Sequence, residues 1–188
     1  DGGALGAALE RSEETSGMED VYLGPEYSKE EVKKVLEEHD ADYEEMERDE
    51  LLETAAEKIS EGSVVSIYQG RLEWGPRALG NRSILADPRR EEMIDMVNKK
   101  VKFREEFRPF APTVLQEHAE DYFDLEGESS YMLFVFDVHE DKREEIPAVT
   151  HVNGTSRIQT LKRETSSFYH ELISNFYEKT GVPVVLNT

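Results

Sequence analysis

The chain has 188 residues with 42 acidic and 22 basic side chains, a formal net charge of −20, and no cysteine. A field of that sign repels phosphate polymers and anionic membranes at long range, which argues against general nucleic-acid or membrane-surface binding. Disulfides, thiolate metal sites and a cysteine nucleophile are excluded, no apolar run is long enough to span a bilayer, and a soluble, cytoplasmic protein is expected. The length permits one domain with a real core and some extra chain. Arginine (12) slightly exceeds lysine (10), which suits a halophilic cytoplasm about as well as an ordinary acidic, solvated surface.

Residues 1–9 are small and apolar, which suits a helix packed against an element that nothing nearby supplies, and residues 10–28 read as an acidic linker rich in turn formers. Ser28 is placed to cap a helix carrying Val32, Val35, Leu36 and His39 on one face, with Glu31 completing a capping box. Asp49 is expected to cap a second helix with an apolar stripe of Leu51, Leu52, Ala55, Ala56 and Ile59, stopped by Gly62. Residues 63–68 then read as a strand, and residues 83–86 as a short strand closed by Asp87-Pro88.

Met93, Met96, Val97 and Val101 recur at helical spacing. Residues 131–138 read as the clearest strand of the chain, residues 157–161 as a half-buried strand, and residues 167–179 as an amphipathic helix followed by Gly181. Residues 181–188 read as a buried strand that stops as it leaves the core. Both ends therefore look cut from a longer protein. Strands interspersed with helices and no long repeat predict a mixed sheet with helices packed on it, an α/β (α+β) fold.

Charge is unevenly placed. Between Glu10 and Glu61 there are 20 acidic and 6 basic residues, whereas between Gln69 and Phe110 there are 10 basic and 7 acidic. Within the basic segment, residues 69–83 set three glycines and three arginines around the only tryptophan. Glycine lets backbone approach a ligand and present bare N–H groups, and the arginine fork clamps phosphate or carboxylate. A pocket for a small anion is expected here.

A second basic cluster, Lys99, Lys100, Lys102, Arg104 and Arg108, runs into Phe107-Arg108-Pro109-Phe110-Ala111-Pro112. Lys102 and Arg108 stand among apolar neighbours, where a cation needs an anionic partner, and the prolines would hold Arg108 rigidly. A third group, His151, Asn153, Thr155 and Arg157, sits around an Asn153-Gly154 dipeptide that also reads as a hairpin turn. No histidine has metal-ligand spacing.

These motifs together resemble the C-terminal domain of the NodU/CmcH-type O-carbamoyltransferases. The resemblance is carried by residues 75–88 (Gly-Pro-Arg-Ala-Leu-Gly-Asn-Arg-Ser-Ile-Leu-Ala-Asp-Pro), 98–112, 131–134 and 146–155, in that order. It implies an incomplete YrdC-like domain over residues 29–188, preceded in residues 1–28 by the tail of a Kae1-like N-terminal domain and the acidic linker. It also implies that carbamoyl phosphate and ATP, with Mg²⁺, form a carbamoyl-adenylate whose carbamoyl group passes to a hydroxyl acceptor in the N-terminal domain.

Carried onto this sequence, Arg77, Lys102 and Arg108 become the catalytic phosphate ligands. Arg82, His151, Asn153, Thr155 and Asn187 join them in cofactor binding, with no metal ligand among them. The family pattern carries aspartate where this chain has Asn153, and continues beyond Leu-Asn-Thr into Ser-Phe-Asn. Such a chain is not expected to complete carbamoyl transfer alone. The competing readings are a domain kept for packing or oligomerisation, including a homodimer, and a nucleotide- or RNA-binding module of the same fold.

Overall fold

The computed structural model describes residues 3–12, 18 and 20–188. Among these are six α-helices, a five-stranded mixed sheet and a separate two-stranded one. The sheet is ordered β1 (Val65–Ser66), β2 (Ile84–Ala86), β7 (Val184–Asn187), β3 (Ala111–Leu115) and β6 (Gln159–Leu161), antiparallel except for the β3–β6 pair. Every residue of β3, β6 and β7 is buried, so both faces of the sheet centre are covered. The small sheet pairs β4 (Val135–Asp137) with β5 (Thr155–Arg157).

Helix α1 (Gly3–Leu9) buries no side chain. Helix α2 (Lys29–Glu38) starts as its sequence predicts: Ser28 accepts from the Glu31 N–H at 3.2 Å, and Glu31 accepts from the Ser28 N–H at 2.8 Å. Helix α3 (Arg48–Ser60) begins at Glu47 instead of Asp49 and turns Leu52, Ala56 and Ile59 inward, while Leu51 stays exposed. It packs against α6 (Ser167–Thr180), which is capped by Ser166 and ended by Gly181 at φ 74°. An Arg48–Glu171 ion pair of 2.8 Å and a Lys179–Glu53 pair flank that contact. Short helices α4 (Glu92–Val97) and α5 (Ala119–Tyr122) complete the set.

Four expectations are corrected. The strand read at 63–68 is confined to Val65–Ser66. The run 131–138 yields only Val135–Asp137, because Met132 takes a left-handed φ of 54° and Leu133 and Phe134 face solvent. The strand at 157–161 is two strands in different sheets, β5 and β6. The Asn153-Gly154 turn closes tightly, the Gly154 N–H donating to the His151 carbonyl and the His151 N–H to the Thr155 carbonyl, both at 2.8 Å, but it is preceded by a 3₁₀ segment (Pro147–Val149) and not by a strand, so it joins no two strands of a sheet.

Within the acidic linker read at 10–28, residues 13–17 and 19 lie outside the described residues, as do residues 1 and 2 of the small apolar run. The part from Val21 onward is bound to the Gly/Arg loop. Val21 is buried, the Trp74 N–H donates to its carbonyl at 2.6 Å, and the Gly24 N–H donates to the Leu72 carbonyl at 2.9 Å.

Candidate anion site

The Gly/Arg loop, residues 69–83, connects β1 to β2 and closes around one of its own carboxylates. Glu73 Oε1 accepts from the N–H groups of Leu79 (2.9 Å), Asn81 (2.7 Å) and Arg82 (3.1 Å), while the Gly80 N–H donates to Ser83 Oγ at 2.9 Å. Four of the loop's amides, that of Gly80 among them, are thus filled internally.

The loop's three arginines have separate fates. Arg71 turns to the Leu23 and Gly24 carbonyls at 3.0 and 2.9 Å. Arg82 closes the loop: its guanidinium donates to the carbonyls of Gln69, Asn81 and Gly70 and lies 3.6 Å from the centroid of the Tyr68 ring. Arg77 makes no ion pair among the described residues, and its Nε is buried without a hydrogen-bond partner among them.

A second wall comes from the turn after α4. Residues Asn98–Lys102 form a π-helical turn that ends with Phe103 at φ 48°. Fully buried Asn98 anchors residues 104–108 to this turn: Nδ2 donates to the carbonyls of Glu106 (3.1 Å) and Arg108 (3.0 Å), and Oδ1 accepts from Arg104 Nε at 2.6 Å. Lys102 and Arg104 therefore face the cavity. Arg108 does not: it is exposed and paired with Glu105 at 2.8 Å. The prolines stiffen a segment that points this arginine outward, and Arg104 occupies the place predicted for it.

Arg157, at the end of β5, supplies the third wall. His151, Asn153 and Thr155 stand beside it but do not line the cavity. They bond one another, with His151 Nδ1 at 3.0 Å from Thr155 Oγ1 and the Thr155 hydroxyl donating to Asn153 Oδ1 at 2.8 Å. Thr155 and Arg157 share one face of the strand, so this cluster abuts the cationic wall. Asn187, from β7, lies between the walls.

These walls enclose about 340 Å³, lined by Arg77, Arg82, Lys102, Arg104 and Arg157 with no acidic side chain from the described residues among them. Such a concentration is telling in a chain of net charge −20. Burial holds the Lys102 ammonium below its ordinary pKa, and neighbouring Arg104 adds to the effect. Burial likewise lowers Arg157, with a further contribution from Arg77, and lowers His151, with a further contribution from Arg157. The Nε atoms of Arg77, Arg82 and Arg157 are all buried and unpartnered. Half-buried cations that repel one another, with no acidic side chain from the described residues beside them, describe a candidate anion site.

Two larger hollows lack this character. One, between α2 and the Gly/Arg loop, is lined by Val32, Val35, Leu36 and Leu72, and the other mixes Asp20 and Glu128 with Lys162.

The chain matches the family described as Carbamoyltransferase C-terminus over residues 56–188, and it belongs to that family. It is 46% identical to the nodulation protein NolNO of Sinorhizobium fredii and 42% identical to NolO of Bradyrhizobium diazoefficiens, each match covering all of this chain. A nodulation protein U of Rhizobium tropici is 42% identical over 73% of the chain. The chain spans 29% and 36% of the lengths of NolNO and NolO and 24% of nodulation protein U. No helix among the described residues is long and apolar enough to cross a membrane.

Proposed function

We propose that this chain is the part of an O-carbamoyltransferase that binds carbamoyl phosphate and ATP and forms a carbamoyl-adenylate for a hydroxyl acceptor held by an N-terminal, Kae1-like domain. Residues 29–188 would be its YrdC-like domain. The observation that carries this reading is the set of five cations lining one small cavity without an acid. Membership of the carbamoyltransferase family supplies the chemistry for which such a cavity would be used.

Arg77, Lys102, Arg104 and Arg157 would bind the phosphate oxygens, with Arg82 keeping the loop closed behind them. Water displaces phosphate from the carbamoyl carbon; a carbamate oxygen then attacks the α-phosphorus of ATP and pyrophosphate leaves. The cations' task is to offset the negative charge that accumulates as these bonds change.

Clusters of three or more metal-ligating carboxylates, histidines or cysteines are absent among the described residues. Mg²⁺ accompanying the nucleotide would be held mainly by phosphate oxygens and water. Its contribution is to screen the nucleotide's own charge. The cavity's guanidinium and ammonium groups fit the oxygens of a phosphate.

The test is thermal unfolding with and without carbamoyl phosphate and Mg-ATP. A ligand that binds only the folded state raises the melting temperature. The rise should vanish in Arg77→Ala and persist in Arg108→Ala. No rise in the unsubstituted chain, or one that survives Arg77→Ala, would sink the assignment of the site.

A further inference from the structure

Asn187 is 1% exposed and lines the cationic cavity from the central strand β7. Its side-chain amide is fixed by three acceptors on one side. Nδ2 donates to the Ala78 carbonyl (3.0 Å), to Thr113 Oγ1 (2.9 Å) and to Gln159 Oε1 (3.1 Å). The Thr113 hydroxyl is itself committed as a donor to Gln159 Oε1 at 2.8 Å, so it has no proton to offer an oxygen. Turning the amide over would set Oδ1 against three oxygens. Oδ1 is therefore held on the opposite side, and there it is buried without a hydrogen-bond partner. Orphaned buried acceptors are uncommon enough in folded proteins to need an explanation.

The composition of the cavity supplies one. Arg77, Arg82, Lys102, Arg104 and Arg157 can only donate hydrogen bonds. Among the lining side chains only Asn187 and Thr188 carry oxygen, and a hydroxyl such as that of Thr188 both donates and accepts. Oδ1 of Asn187 accepts only. The Ala78 carbonyl, at the same wall, is already taken by Nδ2. A ligand that satisfies the whole set must offer anionic oxygens to the cations and one N–H to Asn187.

We infer that Asn187 is the specificity-determining residue of this site: its Oδ1 accepts a hydrogen bond from the NH₂ of a carbamoyl group while the cations hold the attached phosphate. The inference rests on the carbamoyl phosphate reading above and adds the atom that tells a carbamoyl phosphate from an acyl phosphate of the same shape. Acetyl phosphate replaces that NH₂ by CH₃ and would leave Oδ1 orphaned. Sites built to hydrogen-bond a polar group discriminate strongly against the analogue that lacks it. A strand position paired on both sides, Asn187 with Leu85 and with Ala111, gives the acceptor the rigidity such discrimination needs.

The experiment is a calorimetric titration of the chain with carbamoyl phosphate, acetyl phosphate and inorganic phosphate at one pH and ionic strength. It is repeated with Arg77→Ala, Asn187→Leu and Thr188→Val. The expected result is binding of carbamoyl phosphate at least about tenfold tighter than acetyl phosphate. That ratio should fall to within about twofold in Asn187→Leu and stay in Thr188→Val. Equal binding of the two ligands by the unsubstituted chain overturns the inference without any variant having to fold, and leaves the anion site standing if Arg77→Ala weakens both. A ratio that survives in Asn187→Leu, or moves only in Thr188→Val, also overturns it. Failure of all three ligands to bind removes the underlying reading and the inference together.

Discussion

Gly80 and Tyr169 occupy one another's space: a Cβ built on Gly80 would stand 2.3 Å from Cδ1 of the fully buried Tyr169 ring. Gly80 also has φ 113°, a conformation that residues with a side chain rarely adopt. The contact locks the Gly/Arg loop onto α6. Replacing Gly80 by alanine combines backbone strain with overpacking, so Gly80→Ala should lose at least about 2 kcal/mol of stability. In a domain of this size that is a fall of roughly 4–8 °C in melting temperature. A loss below about 0.5 kcal/mol in denaturant titration would mean the loop and helix are not locked together.

Glu73 holds the same loop from within. Glu73→Ala leaves three amide donors without their acceptor and should cost about 2–3 kcal/mol, whereas Glu73→Gln, which keeps an oxygen in place, should cost about 1 kcal/mol. Amide hydrogen exchange gives the direct readout. Leu79, Asn81 and Arg82 should be protected in the unsubstituted chain and lose protection together in Glu73→Ala. Independent exchange of the three would contradict a shared acceptor.

Removing a cavity arginine separates binding from stability. Arg157 is held below its ordinary pKa by burial and by Arg77, so without ligand it faces uncompensated repulsion. Arg157→Gln should therefore leave the anion-free melting temperature unchanged or higher. Phosphate-ligand affinity should drop by about tenfold or more, the scale of one lost charge-assisted contact. A melting temperature that falls while affinity is retained would show that Arg157 serves the fold instead.

His151 reports on its neighbour. Burial first, and Arg157 second, lower its pKa in the folded chain below the unfolded value of about 6.5. The unfolded state then binds more protons in the window below that value. The stability linked to this group is complete above it and is lost as pH falls through the folded pKa. His151→Asn should flatten the dependence of stability on pH between roughly 5 and 7. An anion bound against Arg157 should raise the His151 pKa, visible as a shift in its imidazole titration by NMR. An unmoved titration in saturating carbamoyl phosphate would place the anion away from Arg157.

Local signals are the legible ones. The Ser28/Glu31 capping box and the apolar face of α6 are set by residues three or four apart: the box is found as read, and Leu172, Ile173 and Phe176 turn inward as read, joined by Tyr169 and His170. Strand β3 escapes a sequence reading because it is buried on both faces, which removes alternation, and because Pro112 argues against a central strand. Pro112 is tolerated ahead of Thr113, where the parallel pairing with β6 begins. The choice between Arg104 and Arg108 is also out of reach. It is made by the buried Asn98, whose carboxamide takes Arg104 and two loop carbonyls at once. Arg77 and Arg157 come together only when the two-stranded sheet that carries β5 is brought beside the Gly/Arg loop, so charge spacing along the chain does not reveal their proximity.

Strand β7 lies between β2 and β3, yet the chain makes both of those long before it. During synthesis, two strands emerge whose shared neighbour does not yet exist, each with an open edge able to pair with another chain. Closing the sheet must wait for the late strand, and such non-local pairing is slow. Until then the nascent polypeptide has neither a finished sheet nor Asn187. Aggregation in that interval, rather than instability afterwards, is the hazard written into this strand order.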